Sequence, residues 1–362
     1  MATGIRRVAA AILGCVLVAA CASEPAPASP GSLAPSASSV QASAPVAAPP
    51  GSTGSPEPGS PAAAAPSEPP ACTEATFAYD PSSQAMLLLN CVDQTNPGSV
   101  EQVWSWDGSS WSLMDDSGPP ATVVAGVAYD PGRHTAVRYG GLPLDSNDCS
   151  TETWEWSAAG WASKDVDPPT VCDHMFMVHE ATRQRSLLFG GGDDAGNLIT
   201  ETWAWDGATW QQLASEGPSG RAHFGFVYDE GHEQALIYGG YDGSAVFDDF
   251  WSWDGSSWSE IDFPGPGPRS HLGLAAGDED LLLFGGASGP STFTSLRDDT
   301  WQLTDGQWQE VEGDGPSTRG SPAMGYDPGR GTFVLYGGFG ADGGLLGDTW
   351  EWADGWECRN GC

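Results

Sequence analysis

Three arginines and three histidines recur at matched places along this chain. Arg221, Arg269 and Arg319 lie 48 and 50 residues apart, and His174, His223 and His271 lie 49 and 48 apart, with His223 and His271 two residues after their Arg. A guanidinium fork grips carboxylates and an imidazole moves protons near neutral pH, so a convergent set would suit a carboxylate or a sugar acid. Three imidazoles could also take zinc or copper, although segments that fan apart would carry them beyond ligand reach. A second register competes with any ligand: Glu152, Glu201, Asp249, Asp299 and Asp348 each stand two residues before a Trp. Arg-to-acid bridges between neighbouring segments would turn both sets into scaffold. The sequence leaves both readings open.

Other chemistry is weakly marked. Asp193-Asp194, Asp242, Asp248-Asp249 and Asp298-Asp299 offer hard oxygens for calcium, but none has the spacing of an EF-hand loop. No Gly-x-Ser-x-Gly elbow, P-loop or dinucleotide fingerprint is present. With 48 Asp and Glu, a glycosidase pair could be claimed anywhere and therefore nowhere. No residue is assigned as catalytic or as a metal ligand, and no cofactor is expected.

The elements that must position these residues are set by tryptophan. All 17 Trp fall into six copies of W-x-W followed by a third Trp, starting at Trp104, Trp154, Trp203, Trp251, Trp301 and Trp350. Leu303 takes the middle place in copy five, and the last copy is one residue shorter before its third Trp. Copy four shows the unit: a small and apolar strand ending in Tyr228-Asp229, a strand ending in Gly239-Gly240, the Trp251/Trp253 strand, an Asp254-Gly255 turn, and a strand from Trp258. Trp at i and i+2 of a strand share a face. Six short-strand units with a period near 49 residues predict an all-β, six-bladed β-propeller with four antiparallel strands per blade. Sixfold recurrence argues that the Trp pack between blades rather than stack on sugars. Arg133, Arg183 and Arg330 form another register in the opposite turns, where a solvated side chain is expected.

The Arg-x-His before strand one, the Gly-Gly closing strand two (140–141, 190–191, 239–240, 285–286, 337–338) and the spaced Trp together resemble the kelch repeat, of the galactose-oxidase-like superfamily. The resemblance covers essentially all of 72–362. Copy one departs from it with Asn90-Cys91, and copy five ends strand one in Ala276-Gly277. The superfamily includes a copper enzyme that needs several Tyr and His around a radical, but only Tyr241 of the eight Tyr lies outside the repeat register, so that activity is not expected. It also includes a mutarotase of a carboxylated sugar. That implies an alternative in which Arg221, Arg269 and Arg319 bind carboxylate and a His moves protons.

Both termini of the repeat array are whole copies, so no shared blade closes the ring, and disulfides are a natural clasp. Cys72, Cys91, Cys149, Cys172, Cys358 and Cys362 remain in the domain, an even set consistent with three disulfides. Repeat register makes Cys72–Cys91 and Cys149–Cys172 sensible, leaving Cys358 with Cys362. A rival scheme joins a C-terminal Cys to Cys72 or Cys91 across the closure.

Residues 1–20 read as a bacterial lipoprotein signal peptide: Arg6-Arg7, an apolar run, then Val18-Ala-Ala-Cys21, which resembles a lipobox and implies lipid on Cys21. Residues 21–71 form a Pro/Ala/Ser-rich tether without an aromatic residue, expected to stay disordered, and 72–362 form the propeller. The net charge of −35 argues against nucleic acid as a partner. The expectation is a lipid-anchored, extracytoplasmic protein of the bacterial cell envelope. It would meet the membrane through its N-terminal lipid and bind a surface or envelope protein or glycan through the long loops after each Gly-Gly, the upper face.

Overall fold

The computed structural model describes residues 66–146, 148–262, 264–289 and 292–362. The signal peptide, Cys21 and most of the tether lie outside the described residues. The rest is a ring of six four-stranded antiparallel meanders. The innermost strands are Thr76–Asp80, Gly126–Asp130, Phe176–Glu180, Gly225–Asp229, Gly273–Ala276 and Ala323–Asp327. Each touches its neighbours around the axis, and the first packs directly on the last. Outer strands follow in chain order, as in blade four: Gln234–Tyr238, Phe250–Trp253 and Trp258–Glu260.

Five of the six blade junctions are made by one backbone bond that the Gly-Gly pair allows. The amide of the second Gly in each pair donates to the carbonyl at the lead-in to the next blade's first strand. These bonds are Gly141 to Cys172 (2.7 Å), Gly191 to Arg221 (2.8 Å), Gly240 to Arg269 (2.7 Å), Gly286 to Arg319 (3.0 Å) and Gly338 to Cys72 (2.8 Å). Both glycines have positive φ, and a Cβ on the first would run into that same carbonyl. Glycine alone gives this approach without strain. Blade one lacks the pair but keeps the connection. With its amide nitrogen turned toward acceptors, Asn90 (φ 58°) donates to the Thr122 carbonyl at 3.1 Å.

Tryptophan supplies the rest of each interface. The third Trp of a copy donates its indole N–H to a Thr of the preceding blade: Trp111 to Thr349, Trp210 to Thr153, Trp258 to Thr202 and Trp356 to Thr300, at 2.8–3.0 Å. Where the preceding blade has Val103 or Phe250 at the Thr place, the indoles of Trp161 and Trp308 are buried without a partner. Middle Trp residues reach carboxylates of the preceding blade, as Trp106 does Glu351 and Trp205 does Glu155.

Two expectations are corrected here. The disulfides are the three pairs that the repeat register offered: Cys72–Cys91 within blade one, Cys149–Cys172 between blades two and three, and Cys358–Cys362 within blade six. None clasps the closure between blades six and one. Blade six meets blade one through the Gly338, Trp106 and Trp111 bonds, the same chemistry used elsewhere. The turn arginines are not simply solvated either. Arg133, Arg183 and Arg330 lie over Gly207, Gly255 and Gly108 of the next blade's Asp-Gly turn and pair with Asp130, Glu180 and Asp327.

Thr153→Val should strand the buried Trp210 N–H and lower unfolding free energy by about 1–3 kcal/mol. Val103→Thr should give Trp161 an acceptor and raise it by about 1 kcal/mol. Urea midpoints measure both. Equal midpoints for both variants and the parent would mean that these bonds contribute nothing.

Candidate functional site

Each first strand begins from a lead-in slot that is cross-linked in every blade, by one of three chemistries. In blades four to six it holds Arg221, Arg269 and Arg319, each buried and forked onto an aspartate of its own blade. Arg221 meets Asp249 at 2.6 and 2.8 Å, Arg269 meets Asp299 at 2.6 and 2.5 Å, and Arg319 meets Asp348 at 2.7 Å twice. Each guanidinium also donates to the first Gly carbonyl of its blade: Gly239, Gly285 and Gly337. Burial pushes the Asp249, Asp299 and Asp348 carboxyls up, but the Arg hydrogen bonds and charge hold all three below the ordinary value. In blades one and three the slot holds Cys72 and Cys172, both in disulfides. In blade two it holds Thr122, bonded by the buried Arg138, which pairs with Glu101 at 3.1 Å. The arginines offered by sequence as carboxylate ligands are thus already on carboxylates, with relative exposure of 0–1%.

Two residues farther, Glu74, Val124, His174, His223, His271 and Ser321 share one left-handed conformation, with φ between 48° and 59°. They ring the axis and are tied to one another through the backbone, His271 to the His223 carbonyl (2.8 Å) and Ser321 to that of His271 (2.6 Å). The three imidazoles meet, contrary to the expectation that fanning blades would hold them apart. Ring centroids are 4.7 Å apart for His174–His223 and 3.7 Å, stacked, for His223–His271. Nδ1 of His223 faces Glu74 at 3.1 Å, Nδ1 of His174 faces Asp173 at 3.2 Å, and Nδ1 of His271 faces the Ser270 hydroxyl at 3.1 Å. Among the described residues, no three His, Cys, Asp or Glu side chains are grouped so as to hold a metal ion. Asp193 instead bonds Asn197, and Asp242 caps its own loop.

This cluster plugs the upper end of the channel and divides charge internally. Burial lowers the pKa of His271 well below 6.5, assisted by His223 and His174. Burial also lowers His223, against the pull of Glu74. For His174, burial is outweighed by the bond and charge of Asp173, and its pKa rises. Burial likewise loses for Glu74, which His223 and His174 hold below its usual value.

The channel is open toward the opposite, turn face. An axial cavity of about 240 Å³ runs between the six first strands. It continues into a mouth of about 680 Å³. The mouth is lined by the residues that end those strands: Tyr79, Tyr129, His179, Tyr228, Ala276 and Tyr326, with Pro81, Pro131 and Pro328 around them. Three of the tyrosines bond to the preceding blade: Tyr129 to Asp80 (2.9 Å), Tyr228 to Thr182 (2.8 Å) and Tyr326 to Asp278 (2.9 Å). Burial and the Asp278 bond push the Tyr326 hydroxyl up to about 12, so it stays protonated. His179 stands 3.6 Å from Asp130, yet burial keeps its pKa lowered. Sequence reasoning treated these tyrosines as repeat residues and looked for a site on the upper face, whereas this mouth opens on the turn face. The usable signal was the break in register, His179 and Ala276 where sister copies carry Tyr.

No family model and no curated protein matches this chain. Among solved structures, that of YjhT aligns with a TM-score of 0.63 at 14% identity, over 82% of this chain and 99% of that one. At that identity the likeness shows the fold. In all, 598 solved chains match, so shape alone singles out no activity.

The imidazole plug sets a pH dependence. His223 and His271 have folded pKa values below 6.5, so the unfolded chain binds more protons just below that pH and stability falls as pH drops. His174, raised, contributes stability that is full below 6.5 and lost as pH rises through its folded value. Below 6.5 the His174 contribution is constant and only His223 and His271 act, so melting temperature should fall from pH 6.5 toward 5, and His271→Asn should flatten that slope. A slope identical to the parent would exclude His271 as a source.

Proposed function

We propose that this chain is a binding module of the bacterial cell envelope: a kelch-type propeller held to a membrane by lipid on Cys21 and a Pro-rich tether, docking an extracytoplasmic protein or glycan. The carrying observation is the open mouth on the turn face, lined by Tyr79, Tyr129, Tyr228 and Tyr326. Aromatic faces beside carboxylates such as Asp278 and Glu230 suit the apolar faces and hydroxyls of a sugar ring. The buried Arg–Asp forks also weigh toward binding over catalysis, because a sugar carboxylate would have to displace an aspartate to reach Arg221, Arg269 or Arg319. Among the described residues, no helix is long and apolar enough to cross a membrane, which is compatible with anchoring by lipid.

One observation favours a second reading, a sugar-active enzyme of the mutarotase or epimerase type. His179 lines both the axial cavity and its mouth, and its lowered pKa keeps it neutral and able to accept a proton.

In a thermal-shift titration of the full chain, neutral sugars should raise the melting temperature with dose, and Tyr228→Ala should remove the rise. A rise confined to acidic sugars and lost in Arg269→Ala would transfer the assignment to the enzyme. No response to any sugar would leave protein docking.

A further inference from the structure

Blade five meets blade four at an interface that breaks the repeat twice, once on each blade. The middle Trp of blade five is Leu303, paired across the sheet with Leu281 as Trp253 is with Ala235 in blade four. Trp106, Trp156, Trp205, Trp253 and Trp352 are all buried at their own interfaces, whereas Leu303 is only half-buried. The turn arginine is missing there too. His232 holds the place of Arg133, exposes 73% of its side chain and turns back onto Asp229 at 2.8 Å. Gly108, Gly207 and Gly255 lie under arginines of the preceding blade, but nothing lies within 4 Å of where a Cβ on Gly306 would be.

Both losses fall between blades four and five and leave a cleft of about 630 Å³ open to the turn face. Its floor is apolar, made by Leu236, Phe250, Ile261 and Leu303, the same strand places that enclose an indole in the other blades. Its rim is acidic: Asp229, Asp278, Glu279, Asp280 and Asp305.

From this we propose that the cleft is a docking site for a segment of a partner protein that inserts one aromatic side chain, best an indole, between flanking Lys or Arg residues. The apolar floor takes the ring in the space left by the missing Trp, and the carboxylate rim selects the basic flanks. An anchor in a pocket with a charged rim is the usual layout of a protein-binding hot spot. The inference rests on the binding-module reading for its biological sense but uses a cleft that adjoins the tyrosine-lined mouth and shares only Gly231 and Asp278 with it. Its apolar floor and the mouth's tyrosines are different residues, so each can fail alone.

The test is fluorescence anisotropy of a labelled Lys-Trp-Lys peptide on the full chain, with Lys-Ala-Lys and Glu-Trp-Glu as controls. Saturable binding is expected, at least tenfold tighter than either control and weakened by salt. Leu303→Trp, which restores the repeat residue, should keep the fold and lower affinity at least tenfold. His232→Arg, a surface change that restores the turn arginine over Gly306, should lower affinity as well and serves if the Trp variant does not fold. Neither change should alter a sugar response lost in Tyr228→Ala. Equal binding of Lys-Trp-Lys and Lys-Ala-Lys would mean that net charge alone attracts the peptide and would overturn the proposal. So would unchanged affinity in both variants. A small aromatic amine that binds as tightly as the peptide would replace the protein segment as occupant.

Discussion

A propeller blade cannot bury both faces of its own sheet, so the molecule depends on how one blade is fixed to the next. Here the fixing bond is the hydrogen bond from the Gly-Gly amide to the lead-in carbonyl of the following blade. It sets the distance and tilt between blades at the level of backbone atoms, where a side chain would intrude. The tryptophans then fill the space outward of that bond, and several of the second and third Trp of each copy donate their N–H groups to Thr or carboxylates one blade back. Because the connection is pairwise and Gly338 makes it to Cys72 as elsewhere, the ring closes from blade six to blade one without a covalent clasp. Asn90, whose side-chain amide replaces the missing glycine amide, shows that the donor is retained even where the residue is not.

The same bond governs where chemistry can occur. It draws each lead-in close to the axis, where the following residues must turn in a left-handed conformation and point inward. Arginine in that slot must be compensated in place, since a lone buried charge costs several kcal/mol. The aspartate two residues before the first Trp supplies that compensation in blades four to six. A disulfide does the equivalent structural work in blades one and three. The upper end of the channel is consequently filled by polar groups that satisfy one another, and accessible space is left at the turn face. The tyrosines there line a mouth whose walls are set by the strands above them.

Departures from the repeat matter more than the repeat itself. A substitution that removes one interface group, such as Val103 for Thr, leaves an unsatisfied indole and nothing more. When two departures coincide, as Leu303 and His232 do, the interface opens into a cleft with its own floor and rim. Coincidence at one interface gives that cleft its local character in an otherwise symmetric ring.

The amino-acid sequence by itself determined the six blades, their four strands, the packing role of the tryptophans and the need for glycine after strand two. These follow from short-range facts: alternation along a strand, the fixed repeat period, and the steric freedom of Gly. Register also offered Arg221, Arg269 and Arg319 with their acids as a pair of sets, favouring scaffold while leaving the ligand reading open. Only the tertiary structure decided that the forks are internal, that His174, His223 and His271 touch, and that the disulfides do not clasp the closure. It alone showed that the open space faces the turns. Those outcomes depend on the radius of the ring and the tilt of its strands, which bring residues some fifty positions apart within a few ångströms. No local pattern encodes that distance, because it is fixed jointly by all six interfaces.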